Sequence, residues 1–403
     1  MSSRDKVSHS LKRGPLEAAG VNALARRCLE AEAPTLRRAR VPDRDEHVGR
    51  TGGKVSGMSS YGRWYPATRI ALALLLWIVL ATTQGRAWGE EAGRITILEE
   101  NDSLYFNSDK HYTQGLRISD LLAGARASDG LRDDAFQALG SVAPVFEPGG
   151  TRRTAIFLGQ SIFTPKNLSI RPPDPHDRPY AGWLYVGTSL LQETAGGMLE
   201  NAELDFGIVG PGALGKQVQN DFHQFIGIAE AKGWSSQLQQ EFGAILSYER
   251  LWRLPLVGDN GFGVDIVPQL GASIGNILTY GEAGALLRIG KGLGADYGPV
   301  RIRPALSGTD YFDADRLDEG KGYYFFAGTQ GRVVGRNIFL DGNSFRTSPS
   351  VSKKNLVGDV QAGFSVLWSK SLRLDVSVAL RTEEFHGQRT PDDICAAALT
   401  FSW

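Results

Sequence analysis

The feature that most constrains this chain is an alternation of period two, sustained for about ten residues at a time. In LRLDVSVALR, residues 372–381, Leu372, Leu374, Val376, Val378 and Leu380 share one face, and Arg373, Asp375, Ser377, Ala379 and Arg381 the other. DVQAGFSVLW groups Val360, Ala362, Phe364, Val366 and Trp368, and ICAAALTFSW groups Cys395, Ala397, Leu399, Phe401 and Trp403. Successive side chains of a strand point to opposite faces, so each segment reads as a strand with one apolar and one polar side. Strands of soluble sandwiches alternate too, but usually run only ~5–6 residues. A strand of ~9–11 residues crosses a bilayer at a tilt, and apolar-out with polar-in is the pattern of a transmembrane barrel. Unpaired backbone at a sheet edge is not tolerated in hydrocarbon, so such a sheet has to close.

The same reading places strands near 94–103, 112–122, 153–163, 182–192, 201–210, 237–253, 262–273, 276–290, 322–335, 356–369, 371–384 and 394–403. The count, about twelve, is even, as in single-chain bacterial barrels. One segment breaks the pattern. In GKQVQNDFHQFIGI, residues 215–228, Val218, Phe222, Phe225 and Ile226 fall at helical spacing, and Gln219 and His223, four apart, share a face. The expected fold is therefore all-β: a transmembrane antiparallel β-barrel of about 12 strands with a short helix in a loop. The 49 glycines suit its turns and close strand contacts.

Ahead of the barrel, GRWYPATRIALALLLWIVLATTQGRAWGE has a basic flank, an apolar run short for a membrane span, and a small-x-small site before Glu90. It reads as a secretory signal peptide over residues 58–89, beginning at Met58; the alternative is an uncleaved anchor. Residues 1–57, Arg-rich and without pattern, read as a mis-called or disordered extension, and 90–403 as the barrel. Cys28 and Cys395 have no zinc-ligand spacing, and removal of the leader leaves one cysteine and no intrachain disulfide. An aromatic end, Trp403, on a final amphipathic strand is typical of barrels delivered to the bacterial outer membrane, the expected location. Lys+Arg and Asp+Glu are 44 each, so there is no basic signature for nucleic acid, and none is expected as a partner.

Polar residues also gather where a barrel has its rim. Asn101 and Asp102 stand at the mouth of the first hairpin, and Thr113 opens its second strand. Asx residues are ordinary turn formers as well, and a lone His223 reads equally as a half-buried loop histidine. No GxSxG elbow occurs, so a serine hydrolase of the α/β type is not indicated. An ester could instead be attacked by water deprotonated by His.

Three stretches, ENDSLYFNSDKHYTQGLRIS, RPYAGWLYVG and ELDFGIVGPGALGKQVQNDFHQFIG, together resemble the outer-membrane lipid A 3'-O-deacylase family (LpxR type). The likeness runs from about residue 94 to the C-terminus. It implies a twelve-stranded barrel and calcium-dependent hydrolysis of the 3'-linked acyl or acyloxyacyl chain of lipid A by His-activated water. Lipid A (lipopolysaccharide) and the outer-membrane bilayer would be its partners. Site residues carried over are His223, Gln219, Asn101, Asp102 and Thr113, with Asp102 and Asn101 placing Ca2+. Lys166 and Arg171 are candidates for gripping phosphate or sugar of the substrate. One departure stands out: the family's Glu six residues beyond the histidine is Ala229 here, with Glu230 next to it.

Two other readings remain open. An outer-membrane phospholipase would need a serine beside the histidine, and Ser161 and Ser189 have no evident partner. A catalytically inactive barrel or a pore is the other, although a wide channel needs more strands. Tyr180, Trp183 and Tyr185 are expected in an interfacial girdle.

Overall fold

The structure, a computed structural model, describes residues 93–102, 110–122, 130–146, 149–259, 261–304 and 308–402. The expected extension and signal peptide lie outside these residues, as does Trp403. The strands are β1 (Arg94–Asn101), β2 (His111–Leu121), β3 (Thr151–Thr164), β4 (Ala181–Glu193), β5 (Met198–Val209), β6 (Glu241–Trp252), β7 (Leu254–Asp259), β8 (Phe262–Gly275), β9 (Leu278–Lys291), β10 (Gly322–Asn337), β11 (Leu356–Ser369), β12 (Leu372–Arg381) and β13 (Asp392–Ser402). Each pairs antiparallel with its neighbours, and β1 pairs with β13. β6 and β7 lie end to end along β8, Leu251 opposite Gln269 and Leu254 opposite Ile266. The closed wall therefore has twelve staves. Every segment expected from the alternation overlaps one of them.

The end at which β1 finishes is the upper rim. The lower rim carries the tight turns 194–197 and 370–371, besides the β2–β3 connection and the β9–β10 connection that enters the lumen, whereas the upper rim carries 165–180, 210–240, 338–355 and 382–391. Outer-membrane barrels have short periplasmic turns and longer extracellular loops, so the upper rim is the outer one.

The two faces of the wall have opposite chemistry. Val186, Phe206, Phe242, Ile274, Phe325, Val360 and Leu380 point outward and are exposed. Arg117, Glu203, Glu249, Arg288, Asp359 and Arg381 point inward and are buried. A bilayer solvates the first set, and only ion pairing makes the second tolerable. Arg303 donates to Glu249 at 2.8 Å, Arg332 to Asp359 at 2.9 Å, and Arg381 to the same Asp359 at 3.0 Å.

What fills the lumen has no alternation and no expected strand. The connection from β9 to β10 folds back inside the barrel, with Asp296, Tyr297, Arg301 and Tyr311 all buried. Asp296 accepts from Arg288 and Arg373, each at 2.5 Å. Asp310 accepts from Arg117 at 2.9 Å. Farther up, Arg301 pairs with Glu100, and the Ile302 N–H donates to Glu100 at 3.1 Å. The Pro304 carbonyl takes Arg381 at 2.6 Å. A lumen occupied in this way is not a channel, and planar-bilayer recordings of the reconstituted protein should show no steady conductance. Stable open-channel steps would contradict it.

Among the described residues the α-helices are α1 (Gly130–Val142), on the β2–β3 connection, α2 (Gly215–Ile226), on the upper rim, and α3 (Ile338–Asp341). α2 matches the expected helix, while α1 was not expected.

Candidate active site

The hairpin mouth is shaped by a bulge. Tyr112 pairs with Phe163 and Gln114 with Ile162, which leaves Thr113 as an extra residue in β2. An extra residue reverses the phase of alternation. Below it Gly115, Arg117 and Ser119 face the lumen; above it Tyr112 does, its hydroxyl donating to Glu100 at 2.9 Å. Thr113 is thereby turned out of the lumen series. Its hydroxyl meets that of Thr164 at 2.7 Å, and Thr164 belongs to the outward series of β3 with Ile162. On β1, Glu100 points into the lumen, so Asn101 takes the outward side. The next residue, Asp102, accepts from the Lys110 N–H at 2.5 Å.

An outward residue of a barrel is normally bathed in lipid, yet Asn101, Asp102 and Thr113 are between 1% and 7% exposed. The outer wall at this rim is thus covered, and α2 supplies part of the cover. Asn101, Gln114, Ile162 and Gly182 form one register row across β1 to β4. α2 starts on Gly182, where an added Cβ would stand 3.0 Å from the Ala213 Cβ and 3.3 Å from the Gly215 nitrogen. Gln160 fixes the same segment by donating to the Ala213 carbonyl at 2.6 Å. One turn on, Val218 packs on the Ile162–Tyr180–Ala231–Trp234 cluster over β3. From Gly215 to His223 an α-helix advances about 12 Å, and two strand spacings are about 10 Å, so α2 is long enough to reach β2 from β4. Gly182→Val should lift α2 off the wall. The expected result is a correctly assembled barrel with at least a tenfold loss of activity, about 1.4 kcal/mol or more in the barrier; unchanged activity would detach α2 from the site.

α2 turns Gln219, Asn220 and His223 toward the protein, all three buried. Asn220 Oδ1 accepts from the Ala231 N–H at 3.0 Å, which folds the following loop back onto the helix. The Trp234 indole donates to Gln219 Oε1 at 2.8 Å, so the amide NH2 is the donor end that Gln219 presents elsewhere. His223 Nδ1 lies 2.8 Å from the Ala229 carbonyl. A carbonyl only accepts, so Nδ1 carries the hydrogen and Nε2 of the neutral ring holds the lone pair. Ala229 is the position at which the resembled family has its Glu. Its backbone supplies the hydrogen-bond partner that orients the imidazole, and Glu230 is exposed.

Lys166 and Arg171 are exposed on the 165–180 loop beside α2, where the Lys232 N–H donates to the Leu168 carbonyl at 2.9 Å. That loop is tied to the hairpin mouth by His111, whose Nε2 lies 3.3 Å from Asp177 and whose Nδ1 lies 2.7 Å from Asp392. His111 has φ 63°, a left-handed conformation uncommon for residues other than glycine, two residues before the bulge. Burial raises the Asp177 carboxyl, but hydrogen bonds from His111 and from the Lys166 and Arg178 N–H groups outweigh it and hold the group below its ordinary value. A depressed folded-state value means stability present above the unfolded value, about 3.9, and lost as pH falls through the folded one. Hydrogen exchange of residues 165–180 should therefore accelerate below about pH 4. The same treatment of Asp177→Asn should show no such step.

Ser161 and Ser189 face the lumen, Ser189 donating to Glu203 at 3.1 Å. Neither lies on the outer wall with α2, so a serine–histidine pair of the phospholipase kind is not formed with His223. Tyr180, Trp183 and Tyr185 correct the girdle expectation. All three are buried; Trp183 and Tyr185 stack inside the barrel at 5.6 Å, and Tyr180 packs on Trp234. Alternation places two aromatics on one face without saying which face, and here the inward series carries them.

A closed barrel with a filled lumen, with Asn101, Asp102 and Thr113 on the outward side of its upper rim and a surface helix against β3 and β4 there, has the architecture of an outer-membrane protein. The comparisons agree: residues 70–403 match the family described as outer membrane protein LpxR, and the chain belongs to that family. LpxR from Salmonella typhimurium superimposes with a TM-score of 0.60 at 21% identity, covering 77% of this chain and 100% of that one. The β domain of the Bordetella autotransporter BrkA gives 0.39 at 13% identity, covering 77% and 99% of the two chains. None of the curated proteins compared with this chain matches it.

Proposed function

We propose that this protein is an outer-membrane esterase that removes the 3'-linked acyl or acyloxyacyl chain of lipid A, using water activated by His223. The observation that carries the reading is the His223 Nδ1 to Ala229 carbonyl hydrogen bond, because it assigns the ring hydrogen to Nδ1 and the lone pair to Nε2. Imidazole acting as a general base takes a proton from water and returns it to the leaving alcohol. The Gln219 NH2, its Oε1 held by Trp234, is the donor assigned to the ester carbonyl or to the attacking water. Thr113 is held beside the ester by Thr164. Lys166 and Arg171 lie on the adjoining loop, where cations would meet phosphate or sugar.

Calcium fits the donor chemistry of the hairpin mouth. Hard cations take oxygen ligands, and Asn101, Asp102 and Thr113 offer only oxygens as acceptors, one of them a buried carboxylate. Asp102 and Asn101 would hold the ion, whose chemistry when bound is to polarise the ester carbonyl and steady the oxyanion.

The test is mass spectrometry of lipid A from cells expressing residues 58–403, with and without calcium. Loss of a 3'-linked acyl or acyloxyacyl unit is expected with calcium only. Intact lipid A from cells that carry an assembled barrel would sink the reading.

A further inference from the structure

α2 has three sides rather than two. At about 100° per residue, Gln219, Asn220 and His223 fall on one arc, and these are buried against the protein. Gln217 and Gln224 fall on a second arc and are exposed. Phe222, Phe225 and Ile226 fall between the two, 47%, 85% and 44% exposed; Val218, one turn earlier on that arc, packs on the wall, and Ile228, just past the helix, is 55% exposed. A helix on a water-soluble protein buries its apolar stripe. This one buries a polar stripe and leaves its aromatic residues uncovered.

That division is the signature of a helix lying at a membrane surface, with one flank in hydrocarbon and the other in water. The barrel's own lipid-facing belt reaches it without a break. Gly212, in the turn that leads into α2, sits over Ile208 on the outer face of β5; an added Cβ there would be 2.8 Å from Ile208 Cδ1. Below it on β4 and β5 come Val186 and Phe206, both more than half exposed, and on β6 Phe242 at 78%. Val186 is four residues down β4 from Gly182, about 13 Å at strand rise, well within the ~30 Å hydrocarbon core.

We propose that α2 rests in the outer-leaflet interface with Phe222, Phe225, Ile226 and Ile228 among the acyl chains of leaflet lipids. The inference rests on the membrane placement of the barrel and not on any ester chemistry, so it stands or falls separately from the proposed reaction.

The test is nitroxide labelling in bilayer nanodiscs of phosphatidylcholine, using the chain with Cys28→Ser and Cys395→Ser. Labels go on Phe225→Cys and, next to it on the polar arc, Gln224→Cys. Oxygen partitions into hydrocarbon and a nickel chelate stays in water. The expected result is loss of nickel collisions at position 225 with strong oxygen collisions, and retained nickel collisions at 224. Nickel access at both positions would put the helix in water and overturn the proposal. An immobilised label at 225, screened from both reagents, would mean that protein covers this flank, and would overturn it equally. Ile228→Cys repeats the measurement outside the helix, so a local effect of the label at 225 does not decide the outcome.

Discussion

His223→Ala should lower turnover on bilayer lipid A by about 10²–10⁴-fold, the usual worth of a positioned general base. The variant should still reach the outer membrane and run as a folded barrel, because the histidine lies outside the twelve-stave wall and its described hydrogen bond is to one loop carbonyl. The informative companion is His223→Gln. A glutamine NH2 can donate to the Ala229 carbonyl, so the loop keeps its partner while the base is gone. If the glutamine variant is as inactive as the alanine one, the loss belongs to proton transfer and not to loop geometry. Near-wild-type turnover in either would remove His223 from the chemistry.

The second large effect lies inside the barrel and concerns stability. Arg288 is fully buried and bonded to Asp265 and Asp296, each at 2.5 Å, and to the Leu293 carbonyl at 2.9 Å. Removing one member of a buried ionic cluster leaves its partners charged and unsolvated, a loss of about 3–5 kcal/mol. Arg288→Met should therefore lower the urea midpoint of the detergent-solubilised barrel sharply and loosen the lumen segment at Asp296. Replacing Asp265 as well, with an apolar residue, should recover part of the loss, since one stranded carboxylate goes with it. Equal destabilisation in the single and double variants would show that packing, not charge, dominates there.

Much of the wall was legible in the sequence because a barrel in lipid obeys one rule along every strand. Arg373, Asp375, Ser377 and Arg381 had to face a polar interior, and the Val376, Val378 and Leu380 series a hydrocarbon exterior; both do. The rule fails where the surroundings change. The expected strand 237–253 begins at Glu241 instead, because the Leu238 N–H is spent on the Tyr180 carbonyl. The lumen segment carries Tyr, Arg and Asp at no fixed period, since each residue answers a different stave. Its length alone, without expected structure, was the available signal. Helix α1 was passed over although Phe136 and Leu139, three residues apart, pack in one cluster with Phe146.

The site was less legible. Asn101, Asp102, Thr113, Gln219 and His223 were brought forward by resemblance, and their roles remain the proposal made above. The bulge that turns Thr113 outward leaves no mark in the residue pattern, because a single extra residue looks like a strand end. The departure at Ala229 reads as a missing acid in the sequence. In the structure a backbone carbonyl, which no residue letter reveals, meets the imidazole.

Under the function proposed above, a lumen filled by the chain's own residues has a kinetic consequence. A lipid substrate of the proposed reaction would arrive by diffusion within one leaflet. The quantity that sets its saturation is then the number of substrate molecules per unit area of membrane. Diluting the suspension should leave the rate per barrel unchanged, whereas thinning the substrate with inert lipid should slow it.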